Sequence, residues 1–210
     1  MQTEWQKKLM MLLGILGAGL VIGQSVLATL VWPVYNVATY PLAVLTANGS
    51  PYQLSFMLLN GVAALLILLS LFTILNNYRH AKQEKLSKAL QGLIMALVLW
   101  LGLQLLWPLS NPAMATMGGT PIRNGVVSIG IILVAYALYH YSQPLRKQGD
   151  SSLANVLLVF SILFVLFHVL AYIMQVIGWP LQGFFDVLAT DSLAAGLGFI
   201  GWYYWQRWSR

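Results

Sequence analysis

The chain has 210 residues, of which 59% are hydrophobic and only 8% are charged, a composition typical of membrane proteins rather than soluble globular ones. It contains no cysteine, which excludes disulfides, thiolate nucleophiles, iron-sulfur clusters and cysteine-ligated zinc. The formal charge of +6 does not indicate nucleic-acid binding, because the basic residues lie beside apolar stretches, where they meet anionic lipid headgroups.

Six apolar stretches are long enough for helices that cross a bilayer, each of which needs about 20 residues. In chain order they occupy 9 to 32, 53 to 77, 89 to 109, 121 to 142, 153 to 177 and 184 to 206. Proline marks several limits: Pro108 ends the third stretch, Pro121 opens the fourth and Pro180 separates the last two. We therefore predict an all-α polytopic membrane protein, a bundle of six transmembrane helices forming a single domain over residues 1 to 210.

The first stretch also has features of a secretory signal peptide, since it follows basic residues and has small residues near its end. Its apolar run continues through Leu30, Val31 and Trp32 without a polar cleavage region, which favours a retained helix. Gly19 and Gly23 in this stretch have GxxxG spacing. Packing inside the bundle is the expected use of that spacing, and a homodimer interface is the alternative.

Ten of the eleven Lys and Arg residues lie in four clusters at the ends of the stretches. The clusters are Lys7 and Lys8; Arg79, Lys82, Lys85 and Lys88; Arg146 and Lys147; and Arg207 and Arg210. Short loops rich in Lys and Arg remain in the cytoplasm, so both termini and the second and fourth loops are predicted there. We expect a multi-pass protein of the cell membrane, specifically the prokaryotic cytoplasmic membrane.

The polar residues at membrane depth gather on the opposite, outer side. Ionisable groups in hydrocarbon are costly enough to need a partner, water or a function. If their helices converge, they form a pocket that the first outer loop covers. The predicted ligand-binding residues are Asn36, Tyr40, Asn60, Arg123, Asn124, His168, Tyr172, Asp186 and Asp191. No acid or base is predicted in the inner half of any span, which argues against a proton-driven pump.

Simpler roles exist for the same residues. Arg123 with Asp186 or Asp191 could be an interfacial ion pair, and His168 could hydrogen-bond a neighbouring helix as packing. His80 and His140 lie at the cytoplasmic ends of their helices, far from His168, so no metal site is expected. No cofactor is expected either.

The segment from Tyr35 to Leu45, then Asn48-Gly49-Ser50-Pro51-Tyr52 and Asn60-Gly61, resembles the prokaryotic membrane family catalogued as domain of unknown function 998. The segment Gly178 to Tyr204 is similar to its last helix. The resemblance implies six helices and no established activity. The chain has Asn111 and Asn124 where the family often has an acid and a His, and Asp186-Val187 where it has Glu-Arg, so no catalytic role is carried over.

Three functions are compatible with the pattern. The first is an uncharacterised membrane protein that binds a lipid headgroup or small polar ligand in the outer pocket, with membrane lipids as partners. The second is the substrate-binding subunit of a vitamin-type (energy-coupling factor) transporter, which such a chain resembles in helix number and outer loops. The third is a membrane-embedded lipid hydrolase or transferase, with His168 as general base oriented by Asp186. The absence of a visible nucleophile counts against the third.

Overall fold

A computed structural model describes residues 4–111 and 121–208. These residues form six long α-helices and a short 3-10 helix, Leu42–Val44, with no β-strand in the described ranges. The helices are α1 Glu4–Val31, α2 Gln53–His80, α3 Glu84–Leu106, α4 Pro121–Lys147, α5 Ser151–Ile177 and α6 Gln182–Arg207. All six are long and apolar enough to cross a membrane, which agrees with the predicted multi-pass, all-α class.

The helices differ from the predicted stretches mainly at one end, where they continue into the basic clusters. There α3 begins at Glu84 instead of 89, and α4 continues through Pro144 to Lys147 instead of ending at 142. Lys, Arg, Gln and Glu are good helix formers and extend long stems along apolar surface, so charge does not end these helices. At the other end α3 stops at Leu106, because Pro108 disfavours a helical conformation at the residue before it.

Each helix packs on its neighbours in the chain, and α6 returns to pack on α1. The described residues of the four basic clusters therefore lie at one end of the bundle, which we call the basic end. There Lys7 of α1 donates to Asn77 of α2 at 3.4 Å, and Arg207 of α6 forms an ion pair with Asp150 at 2.8 Å. Arg210 and most of the predicted loop 110 to 120 lie outside the described residues.

Small residues allow close approach between helices, but not at the predicted pair. A Cβ at Gly17 would lie 2.7 Å from the carbonyl oxygen of Ala63 on α2, and one at Gly198 would lie 2.8 Å from Ala18 on α1. Gly19 and Gly23 have no such neighbour within 4 Å. The expectation that their GxxxG packs inside the bundle is therefore wrong, because the chain uses Gly14 and Gly17, on a different face of α1, to contact α2.

A cluster of three tyrosines joins α2, α4 and α6 near the basic end. The hydroxyl groups of Tyr78 and Tyr141 lie 3.0 Å apart, and the Tyr78 hydroxyl also bonds that of Tyr204. All three side chains are buried. The hydroxyl of Tyr141 thus has its hydrogen-bond partner inside the core, as a buried tyrosine requires.

Candidate ligand-binding site

The long loop between α1 and α2, residues 32–52, folds over the end of the bundle opposite the basic end. We call this the long-loop end. The apolar side chains of Val44 and Leu45 are buried there, 2% and 1% exposed. The chain turns at Asn48-Gly49, with Gly49 in the left-handed region at φ +85°, a conformation that glycine adopts without steric cost. The loop is thus a packed cap rather than a flexible connection.

Three contacts, two between backbones and one from a backbone amide to a carboxylate, hold this cap against the start of α6. The amide of Phe184 donates to the carbonyl of Ala38 at 3.1 Å, and the amide of Leu42 donates to Oδ2 of Asp186 at 2.9 Å. Gly183 lies so close that a Cβ there would meet the carbonyl oxygens of Val37 and Tyr40. Only glycine at position 183 allows the loop and helix backbones to approach this closely.

Two of the loop's aromatic residues stabilise its own fold. The rings of Tyr35 and Tyr40 are stacked 6.5 Å apart, and the Tyr35 hydroxyl donates to the Tyr40 carbonyl at 3.1 Å. Burial, and secondly the charge of Asp186, raises the pKa of Tyr35 above its usual value, which keeps the hydroxyl protonated as a donor. Asn36 accepts a 2.9 Å bond from the Ala38 amide, an Asx turn that fixes the chain locally.

Asp186 is the centre of the polar residues under the loop. Besides accepting from Leu42 through Oδ2, it places Oδ1 3.7 Å from Nδ1 of His168 on α5. Its charge also acts on Arg123 of α4, whose Nε donates to the Trp107 carbonyl at 3.2 Å. One carboxylate therefore links the loop and three helices, since a negative charge at membrane depth needs several favourable partners.

A cavity of about 410 Å³ lies beside this centre, between α3, α4 and α5. Its polar lining consists of Gln104, Arg123, Asn124, Ser128, His168, Tyr172, Gln175, Gln182 and Asp186. Apolar side chains of α4 and α5 form much of the remaining wall, and two of these, Ile132 at 65% and Val169 at 49%, are exposed on the bundle surface. We call it the α4–α5 cavity, because most of its lining residues belong to those helices.

A second cavity, of about 150 Å³, lies between α1, α2, α3 and α6. We call it the central cavity. Its polar lining is Gln24, Thr46, Asn60, Gln104, His168, Asp186 and Thr190. Trp100, Gln104, His168 and Asp186, with Ala43 of the loop, line both cavities, so the two spaces meet at one shared wall.

The structure distributes the nine predicted site residues among several places. Arg123, Asn124, His168, Tyr172 and Asp186 line the α4–α5 cavity, while Asn60 lines the central cavity with His168 and Asp186. Asn36 and Tyr40 support the loop and line neither cavity.

Asp191 also lies outside both cavities. Five residues after Asp186, it points about 140° away around the helix at 3.6 residues per turn. Its Oδ1 is buried without a hydrogen-bond partner among the described residues, and the acid that acts on Arg123 is Asp186. A spacing of five residues thus places Asp186 and Asp191 on different faces of α6.

Several lining residues escaped the sequence reasoning, most clearly Gln24, Trp100, Gln104 and Thr190. An ionisable group is conspicuous in an apolar stretch because charge there is costly, whereas an uncharged amide carries a weaker signal. Gln24 did carry a signal, since a glutamine seven residues from the end of α1 lies well inside the span.

Comparison with known proteins found no matching family model, no matching curated protein and no matching solved structure.

Proposed function

We propose that the protein binds one lipid from the outer leaflet, with the lipid headgroup in the α4–α5 cavity. The observation that supports this most is that Arg123 and Asp186 line the same space of about 410 Å³ as Ile132 and Val169, whose apolar side chains are exposed on the bundle surface. A water-soluble ligand would not need exposed apolar side chains in its site. A purely apolar ligand would not need the buried charges.

The apolar part of the wall suits an acyl chain. Val127, Ile131 and Ile132 of α4 face Val165 and Val169 of α5 across the cavity. Ile132 and Val169 are largely exposed on the bundle surface, where they would contact bilayer chains in any case. A lipid chain can therefore continue from bulk bilayer into the groove without crossing a polar barrier.

The polar part suits a phosphate. Arg123 is only 8% exposed yet lines the cavity, and a guanidinium binds phosphate oxygens in a planar, bidentate geometry. Asp186 already accepts a hydrogen bond from the Leu42 amide and lies beside His168, so these neighbours partly compensate the charge of Asp186. The headgroup proposed here is consequently anionic.

The experiment that tests this function measures lipid retained by the purified protein. Arg123→Gln should weaken retention of an anionic phospholipid at least tenfold, because it removes the positive charge at the phosphate position. Native mass spectrometry from mild detergent counts the bound lipid. Lys147→Gln, an exposed basic residue at the other end, is the control and should retain lipid normally. Equal retention by both variants would contradict the proposal.

We further propose that the basic end is cytoplasmic and the long-loop end is external, in the cytoplasmic membrane of a prokaryote, as the positive-inside rule favours. The chain has no cysteine, so single cysteines report orientation without background. A membrane-impermeant maleimide should label Asn48→Cys in intact cells and Gln148→Cys only after lysis. Both positions are exposed. The reverse pattern would place the cavities on the cytoplasmic side.

A second candidate function is the substrate-binding subunit of a transporter. The observation that favours it is the outward-facing surface at Gly19 and Gly23 of α1, where nothing lies within 4 Å of either position. Such a surface allows close approach by a partner helix, from a transport partner or a second copy. Bulky Gly19→Leu and Gly23→Leu should then abolish co-purification of a membrane partner. A partner that still co-purifies with both variants would contradict it.

A further inference from the structure

The central cavity has a chemistry of its own. Gln24 is 4% exposed and lines it, and its Oε1 is buried without a hydrogen-bond partner among the described residues. Nε2 of His168, on the shared wall, is also buried without a hydrogen-bond partner among the described residues. A buried amide oxygen is an acceptor with two lone pairs, and leaving it unpaired is unfavourable. Two such atoms in the lining of one cavity indicate a ligand that brings hydrogen-bond donors.

The remaining polar lining points to an uncharged group. Thr46, Asn60, Gln104 and Thr190 are neutral, and among the described residues no Lys or Arg lines this cavity. Asp186 is the one carboxylate in that described lining; it accepts from the Leu42 amide at 2.9 Å and lies 3.7 Å from Nδ1 of His168. Neutral groups thus predominate, and hydroxyl groups can donate to the amide oxygens and accept from the amide nitrogens.

The size of the cavity limits the group further. A protein cavity of about 150 Å³ accommodates a molecule the size of benzene, which is about six non-hydrogen atoms. A glycerol unit, with three carbons and three oxygens, has this size. A sugar ring with its hydroxyl groups has roughly twice as many atoms and exceeds it.

The shared wall connects this group to the lipid of the proposed function. Trp100, Gln104, His168 and Asp186 border both cavities, so the cavities are adjacent, and one ligand that occupies both must pass between these side chains. We infer that the central cavity binds the hydroxylated end of the headgroup, and that the ligand is an anionic phospholipid with a small polyol headgroup of the glycerol type. This inference rests on the proposed function.

The test compares three phospholipids with identical acyl chains, whose headgroups are glycerol, methanol and ethanolamine. The glycerol and methanol esters carry the same single negative charge, and the glycerol ester has two further carbons, each bearing a hydroxyl group. In competition for the purified protein, measured by native mass spectrometry, the glycerol lipid should bind at least tenfold more tightly than the methanol lipid. Gln24→Leu should remove that preference while the methanol lipid still binds. Gln91→Leu, an exposed glutamine on α3, should keep it.

The outcomes separate the two claims. If wild-type protein binds the glycerol and methanol lipids equally and Arg123→Gln loses both, the inference fails and the proposed function stands. A preference for the ethanolamine lipid would also overturn the inference, since it would mean that Asp186 recognises a cation. If no lipid binds, or Arg123→Gln changes nothing, the proposed function itself fails. Should Gln24→Leu not fold, Thr190→Val removes another polar group that lines the central cavity. The comparison of the glycerol and methanol lipids on wild-type protein tests the inference without any variant.

Discussion

Asp186→Ala should lower the free energy of unfolding by about 3 kcal/mol and weaken lipid binding, because the loop that lines the α4–α5 cavity loses its hydrogen bond to α6. The substitution removes a charged acceptor that the Leu42 amide uses at 2.9 Å, and a hydrogen bond to a charged group contributes about 1.5 to 3 kcal/mol. It also leaves His168 without its neighbouring carboxylate and Arg123 without the nearby negative charge. Thermal unfolding in detergent and lipid retention measure the two effects.

Asp191→Ala is the matched control, because it removes an acid from the same helix. Asp191 lines neither cavity and its Oδ1 has no hydrogen-bond partner in the described part of the chain, so its removal should maintain or raise stability and leave lipid binding unchanged. If both variants lost stability and lipid binding to the same extent, any acid on α6 would serve equally. That result would contradict the central role of Asp186.

Gly183→Ala should displace the long loop from α6 and lower the free energy of unfolding by about 1 to 3 kcal/mol, the usual cost of overpacking. The added Cβ would meet two backbone carbonyls, of Val37 and Tyr40, and backbone atoms cannot move aside as a flexible side chain can. Loop residues Pro41 and Ala43 line the α4–α5 cavity, so lipid retention should fall as well. Limited proteolysis within residues 32–52 reports the displaced loop.

Gly61→Ala provides the comparison for this substitution. Gly61 also lies in a helix near the long-loop end, but nothing stands within 4 Å of its Cβ position. Alanine there should keep or slightly raise stability through its higher helix propensity. If Gly61→Ala and Gly183→Ala were equally stable and equally resistant to protease, the close contact between loop and α6 would not be what holds the cap.

The helices and their number could be predicted because length and apolar composition determine them directly. Twenty apolar residues match the bilayer core, and Trp107-Pro108 at the end of α3 has a fixed steric meaning. The helix ends at the basic clusters were harder to predict, since residues such as Glu84 and Lys147 have high helix propensity and are also well solvated outside a helix. Whether Gly19 or Gly17 faces α2 depends on helix rotation, which the spacing of small residues alone does not determine.

The site could be predicted only in part, for two physical reasons. Arg123, His168 and Asp186 are conspicuous because charge at membrane depth is costly, whereas Gln24 is an ordinary residue until its burial is known. The contact from the Leu42 amide to Asp186 has no side-chain signature at all, since every residue except proline carries that donor. The contribution of the loop to the site could therefore not be predicted from the sequence.

The most direct test of the central claim is photocrosslinking with an anionic phospholipid that carries a diazirine on its acyl chain. After irradiation of the purified protein, peptide mass spectrometry should place the adducts on the α4 and α5 residues of the cavity, such as Val127, Ile131 and Val169. Arg123→Gln should remove them. Adducts spread equally over other lipid-facing residues, such as Leu58 and Leu65 of α2, which are 61% and 56% exposed, would contradict a specific lipid site between α4 and α5.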